Sequence, residues 1–326
     1  MQSRRARELW FTGPRTIELR ERPVPVPTSR QVLARALASG ISQGTELLLY
    51  RGEGPTPFDP SLDLPGAPTY PRRYGYAWVG EVIEGSPIEG LSPGTRVFAL
   101  APHGDFHALD AATASPLDPA IPARRAVLAA NLETAVTCVW DAGVQLGDSV
   151  VVLGGGAVGL LTARLATSAG GRVRLVEPSP NRRAVAEALG IHAVSPEHDV
   201  PRADADVVVE ATGNPAVLDR AIAHAAFEAV VVVASFYGTR TAPVALGSAF
   251  HRRRLRLQST QVSSLPPSRA ARWTPARRFD LVRSLLLDAS LDALVTGVRP
   301  FGDAASVYES LDRAPSDAIQ TIFEYE

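Results

Sequence analysis

Val150-Val-Val-Leu-Gly154-Gly155-Gly156-Ala157-Val158-Gly159 is the stretch on which the fold turns. An apolar strand runs into a glycine-rich turn, a helical segment Leu160–Ala169 follows, and a second strand, Arg172–Val176, ends in Glu177. Gly154 permits the tight turn out of the strand, Gly156 lets the backbone approach a pyrophosphate, and Gly159 allows close packing of helix on strand. The N–H groups at the helix start, those of Ala157 and Val158 among them, then meet the phosphates at the positive end of the helix dipole. Glu177 lies 18 residues after Gly159, where a carboxylate accepts hydrogen bonds from an adenosine ribose diol and repels a 2′-phosphate. Arg182 and Arg183 pull the other way, since guanidinium groups embrace such a phosphate. The direct position of the acid favours NAD(H) over NADP(H).

Outward from this motif, apolar strands alternate with helical stretches: Val173–Val176, Val207–Val209, Val230–Ala234 and Leu255–Gln258. Continuous valine-rich strands separated by helices predict a parallel sheet covered on both faces. Residues 131–263 are expected to form this dinucleotide-binding domain. Residues 1–130 are rich in Pro and Gly, with short β-type runs such as Gln31–Ala36 and Ala77–Ile83, and predict a β-rich domain. After Pro266-Pro267 an amphipathic helix, roughly 275–289, leads into a β-α-β tail, so 264–326 is expected to rejoin the first domain.

Composition narrows the function. The 326 residues suit two domains, and 33 basic against 34 acidic side chains leave a net charge of −1. No field draws the chain to nucleic acid or to a membrane surface, which leaves small molecules as the expected partners. No apolar run approaches the roughly 18 residues that span a bilayer, and the start lacks the apolar core of a secretory signal, so a cytoplasmic location is expected. Cys138 is the only cysteine, and lysine is absent, which excludes an intrachain disulfide, a thiolate cluster and Schiff-base chemistry.

Several further stretches complete a pattern: Gly40-Ile-Ser-Gln-Gly-Thr-Glu46, Gly75-Tyr-Ala-Trp-Val-Gly-Glu-Val82, Gly94-Thr-Arg-Val97, Glu210-Ala-Thr-Gly213 and the closing Ile319–Tyr325. With this order of domains the chain resembles the medium-chain dehydrogenase/reductase superfamily over nearly its whole length. The resemblance implies an α/β protein, with a GroES-like β-rich catalytic domain beside a Rossmann domain of doubly wound parallel sheet. It implies an NAD(P)-dependent oxidoreductase and a homodimer, with the His251-Arg-Arg-Arg-Leu-Arg-Leu run leading into the strand at the dimer edge.

In the zinc enzymes of that superfamily the first stretch reads Gly-Ile-Cys-Gly-Thr-Asp, and its Cys binds the catalytic metal. Gln43 stands in that place here, with Ser42 before it. Their second ligand is the His of Gly-His-Glu, and here Tyr76 follows Gly75. Their third ligand falls on Ala130 or on Glu133, depending on how the helix is matched. Gln and Tyr are poor zinc ligands, so no zinc and no other catalytic metal is expected. His103 and His107 are spaced as a helical ligand pair, but Pro102 and Gly104 make that segment a loop or strand.

Hydride transfer to or from an alcohol carbon then needs side chains to move the hydroxyl proton and hold the developing alkoxide. Thr45 occupies the position of the superfamily's relay hydroxyl, and Tyr76 is suited to donate to the substrate oxygen. Gln43 offers its amide hydrogens, and Glu133 is a candidate base. Each also has an ordinary structural use, as packed aromatic, helix-end charge or structural hydrogen-bonder. Thr134 aligns with a helix position beside the nicotinamide, and Thr212, Ser235 and Phe236 follow strands whose C-terminal ends face the cofactor crevice. The loop from Tyr50 to Arg73, with six prolines, is expected to roof the substrate cleft. An alcohol, polyol or cyclic-ketone dehydrogenase, of the kind used in secondary metabolism, leads the readings. A reductase of conjugated double bonds or quinones using NADPH, and a non-catalytic dinucleotide-binding protein, are the alternatives.

Overall fold

The N-terminal strands follow the alternation of their sequence. A computed structural model describes residues 5–54, 70–85, 90–313 and 317–326. The chain divides into two units, residues 1–130 with 295–326, and residues 131–294. In the first, β1 (Arg5–Gly13) and β2 (Thr16–Pro23) form an antiparallel ribbon that turns Leu9 and Phe11 fully inward. Next come β3 (Gln31–Ile41), α1 (Gln43–Arg51), β4 (Trp78–Gly85), β5 (Arg96–Ala99), β6 (Phe106–Asp110), β7 (Ser115–Pro116) and the single turn α2 (Ala123–Ala126). Helix α3 (Ala129–Ala142) crosses the boundary between the units and carries Cys138, which is fully buried, so that burial pushes its thiol up to about 12.

The second unit holds β8 (Ser149–Leu153), α4 (Ala157–Ser168), β9 (Arg172–Val176), α5 (Pro180–Ala188), β10 (His192–Val194), β11 (Ala205–Glu210), α6 (Leu218–His224), β12 (Ala225–Val233) and β13 (Arg256–Ser259), then α7 (Pro267–Ala270) and α8 (Pro275–Leu285). Its strands are all parallel in the order β10-β9-β8-β11-β12-β13. Starting at β8, the chain winds first to one side and then to the other, which is the doubly wound arrangement, and the reversal falls between β8 and β11. Residues Val150–Leu153 are buried on both faces, the reason their sequence is an unbroken apolar run. The helix Pro275–Leu285, expected with the flanking domain, groups with this unit.

The chain then returns through β14 (Val295–Pro300), α9 (Ala304–Arg313) and β15 (Gln320–Glu324). Strand β15 pairs antiparallel with β3 and parallel with β14, completing the order β14-β15-β3-β4-β5-β7, with β6 also on β3. Phe301, Tyr308 and Phe323 from this tail pack with Leu9, Phe11 and Ile41 in one apolar core. No helix among the described residues is long and apolar enough to cross a membrane.

Candidate active site

In the second unit, strand β8 ends in a turn that only glycine fits. Gly154 has φ +103°, and a Cβ on it would lie 2.7 Å from the Ala211 carbonyl oxygen. A Cβ on Gly159 would lie 1.9 Å from the Gly154 carbonyl oxygen, so the first turn of α4 rests directly on the preceding loop. A Cβ on Gly156, the residue that caps α4, would meet nothing within 4 Å. The fold does not demand glycine there, whereas a pyrophosphate drawn against the backbone does. The first N–H groups of α4, on Ala157 and Val158, have no partner within the helix and point out of its start, the donor set that phosphate oxygens accept from. These residues fit a dinucleotide.

Glu177 stands just past the end of β9, 4% exposed. Its Oε2 accepts the Gly155 N–H at 2.6 Å and its Oε1 the Ser179 N–H at 2.8 Å, so the carboxylate ties the glycine turn to the start of α5. Arg183 donates to the carbonyls of Glu177 and Pro178 at 2.7 and 2.6 Å. Arg182 lies half-buried in the first turn of α5, its backbone N–H capped by the Ser179 hydroxyl at 3.2 Å. At the end of β11, the fully buried Glu210 accepts from the Thr212 N–H at 2.7 Å, from the Thr212 hydroxyl and from Tyr237 at 2.5 Å. Burial, then the carboxylate, pushes the Tyr237 hydroxyl above its usual range. Ser235 accepts the Gly213 N–H at 2.8 Å, and Phe236 beside it is exposed. A Cβ on Gly154 would also lie 2.9 Å from the Thr212 nitrogen, so Thr212 borders the glycine turn, and Ser235 braces the loop after it.

Thr134 is half-buried on α3. Its neighbour Glu133 is engaged by Arg278 of α8, through Nε at 3.0 Å and Nη2 at 2.9 Å, while Nη1 of Arg278 donates to Thr137 at 3.0 Å. The candidate base is thus one half of an ion pair that joins two helices.

The first unit gathers hydroxyls. Tyr76 donates to the Ser42 hydroxyl and lies 3.4 Å from the Thr45 hydroxyl. Burial, opposed by the Ser42 and Thr45 hydrogen bonds and reinforced by Glu46, moves the Tyr76 hydroxyl above its ordinary range, so it remains a neutral O–H. Beneath this pair lies a fully buried Glu46. Its Oε1 accepts the Ser42 N–H at 2.8 Å, and its Oε2 contacts His103 Nε2 at 3.0 Å and accepts from Tyr308. His103 Nδ1 is 2.6 Å from the Ser39 hydroxyl, itself 2.6 Å from that of Tyr325. Thr45 and Tyr76 stand at recognisable motif positions. Ser39, Glu46, His103 and Tyr308 come from separate segments, and only the Glu46–Ser42 spacing is local enough to be seen in sequence.

Gln43 turns away from this cluster and donates to the Ala318 carbonyl at 3.3 Å. His107 faces Trp78 and the Pro102 carbonyl instead of joining His103, and its burial lowers its pKa to about 4. Among the described residues no group of three or more His, Cys, Asp or Glu side chains could hold a metal ion. An amide engaged by a carbonyl and a neutral phenol do not fit zinc, which takes thiolate, imidazole or carboxylate. The loop expected to form a roof lies, over residues 55–69, outside the described residues.

The chain is similar to known dehydrogenases. Residues 157–276 match the family model described as zinc-binding dehydrogenase. The chain is 31% identical to the 2-desacetyl-2-hydroxyethyl bacteriochlorophyllide A dehydrogenase of Cereibacter sphaeroides, over 97% of this chain and 96% of that protein. Two solved structures share the fold. A protein described as a zinc-binding dehydrogenase, from Sinorhizobium meliloti and bound to NADP, superimposes with a TM-score of 0.80 at 21% identity, covering 98% of this chain and 99% of the other. A short chain alcohol dehydrogenase of Escherichia coli complexed with NADH gives 0.78 at 17% identity, with the same coverage.

Proposed function

Because the chain belongs to the medium-chain dehydrogenase/reductase superfamily, we propose that it is an NAD(H)-dependent dehydrogenase interconverting a secondary alcohol and its ketone without zinc. The observation that carries this reading is the Tyr76 hydroxyl, kept neutral and paired with Ser42 and Thr45 where the zinc enzymes have a metal ligand. When bound, the nicotinamide supplies the hydride donor or acceptor. The glycine turn and the start of α4 would hold the pyrophosphate of the dinucleotide, and Glu177 would accept hydrogen bonds from its adenosine ribose diol. Thr134, Thr212, Ser235 and Phe236 are assigned to the cofactor by their positions. Tyr76 would turn its hydroxyl hydrogen from Ser42 to the substrate oxygen and give up that proton as the carbonyl is reduced, taking it back in the reverse direction; the Ser42 hydroxyl would then donate to the Tyr76 oxygen, Thr45 would steady it from the side, and solvent would restore the proton. Glu133, engaged by Arg278, is the less suited base, and Gln43 is assigned a structural use. We also read the chain as a cytoplasmic homodimer; the dimer reading is supported by β13, which ends the sheet as an exposed edge strand.

Turnover of 1-phenylethanol, cyclohexanol and their ketones, followed by nicotinamide absorbance, tests the reaction. Reduction confined to the double bond of cyclohexenone would replace this reading with that of an enone reductase. Elemental analysis of the purified protein is expected to find zinc well below one per chain, and chelator treatment to leave turnover intact. Stoichiometric zinc, lost together with activity, would sink the metal-free mechanism. Glu177→Ala is expected to shift the preference toward NADP by about 1 kcal/mol or more, roughly fivefold, because a charge opposed to the 2′-phosphate disappears. Its absolute affinities should also fall, since Gly155 and Ser179 lose their acceptor. Wild-type protein that already binds NADP more tightly than NAD would reverse the cofactor assignment.

A further inference from the structure

The Ser42 hydroxyl does not do what a serine at this place in a helix ordinarily does. Ser42 caps α1, yet its side chain makes no capping hydrogen bond, although a serine in that position usually accepts from the second or third helical N–H. Its hydroxyl instead receives Tyr76. The helix start is secured from the other direction: Glu46, one turn into α1, reaches back to take the Ser42 N–H at 2.8 Å. Local stability is given up at a position where the freed group faces the Tyr76 hydroxyl, the pattern expected of a functional site.

The same carboxylate reaches the other member of the pair through His103. The imidazole is 1% exposed and meets Glu46 at 3.0 Å. It also forms the floor under the chain that carries Tyr76. Gly75 has φ +127°, and a Cβ there would lie 2.9 Å from His103 Cδ2 and 3.0 Å from Nε2, while the His103 N–H donates to the Tyr74 carbonyl at 3.3 Å. Glu46 holds Ser42, His103 supports residues 74–76, and the two side chains meet. The neighbouring polar groups continue the same chain: Tyr308 donates to Glu46, and His103 Nδ1 is met by Ser39 and Ser39 by Tyr325. A buried network closed at each end holds one geometry, because any displaced member loses a hydrogen bond that water cannot replace.

We infer that Glu46, clamped by His103 and Tyr308, is a positioning residue that fixes the Ser42–Tyr76 hydroxyl pair for the reaction. This rests on Tyr76 being the substrate-facing donor. The positioning and the chemistry are therefore read separately, in the full-length chain. With 3-fluorotyrosine at position 76 alone, fluorine NMR of the parent should give one narrow line. Glu46→Gln should broaden, split or displace it while NADH affinity stays that of the parent. The same substitution should lower kcat between about tenfold and a hundredfold, the usual result of a small misplacement of a reacting group. In a Tyr76→Phe background it should have little further effect, because Glu46 acts through that hydroxyl, whereas a merely structural loss would multiply with it. If Glu46→Gln does not fold, His103→Asn cuts the clamp from its other side and carries the same expectations. An unchanged fluorine line, or losses that multiply in the double variant, would overturn the inference. A disturbed line together with full turnover in Tyr76→Phe would leave the positioning in place and remove Tyr76 from the chemistry.

Discussion

Gly159→Ala is expected to weaken dinucleotide binding severely and to lower the melting temperature of the protein. The added methyl would sit 1.9 Å from the Gly154 carbonyl oxygen, and this atom cannot easily retreat. The Gly154 N–H is bonded to the Val176 carbonyl at 2.9 Å, and the adjoining Leu153 carbonyl accepts the Ala211 N–H at 2.8 Å, so two neighbouring strands hold the turn. Overpacking of this kind costs about 1–3 kcal/mol or more, and lifting α4 off the turn also moves its N–H groups away from the phosphates. A loss of NADH affinity of roughly a hundredfold or more follows. Gly156→Ala provides the contrast, for its methyl enters open space. That variant should melt like the parent yet bind NADH weakly, separating the space the fold needs from the space the ligand needs. NADH fluorescence titrations beside thermal melts decide both. Parent-like binding by Gly159→Ala would contradict the packing described for the turn, and parent-like binding by Gly156→Ala would show that the pyrophosphate does not lie there.

Tyr76→Phe should lower kcat by about 10²–10⁴, the range for a general acid or base, with NADH affinity unchanged. Phenylalanine retains the ring and its edge contact with Tyr74, so the loss reports the hydroxyl and not the packing. Thr45→Val should cost less, because the Thr45 hydroxyl stands at 3.4 Å from that of Tyr76 and steadies it from the side. The pH dependence carries a sign. The Tyr76 pKa is raised, so the donor stays protonated through neutrality and well into the alkaline range. Ketone reduction should accordingly show no decline on going from neutral to mildly alkaline pH that disappears in Tyr76→Phe. Parent-like turnover in Tyr76→Phe, measured where chemistry limits the rate, would assign proton handling to another group.

Much of the second unit was legible because its signals are local. The apolar run at 150–153, the glycine spacing and the acid at 177 lie within one strand-turn-helix-strand segment, where neighbours in sequence are neighbours in space. Strand β10 is not legible in the sequence for the complementary reason: it spans only His192-Ala-Val, too short for an apolar pattern, and it is defined by pairing with β9. The hydroxyl site was legible in part. Thr45 and Tyr76 stand out because they occupy recognisable motif positions. Glu46 belongs to the same motif, but its partners His103 and Tyr308 are 57 and 262 residues away. Glu133 shows the limit from another side. Its partner Arg278 is 145 residues further along, so the sequence displayed an isolated acid on a helix where the fold contains an ion pair.

The burial of Cys138 has a practical side. At 0% exposure, with its thiol pushed up to about 12, it is almost never the reactive thiolate and is closed to bulky reagents. Maleimide dyes and spin labels should therefore pass over the native chain, and a cysteine introduced at a chosen surface position would take the label alone, with no prior removal of Cys138. The absence of lysine extends this to amine reagents, which find no side-chain target anywhere in the sequence. Distances within either unit thus become measurable from pairs of introduced probes on an otherwise unaltered protein.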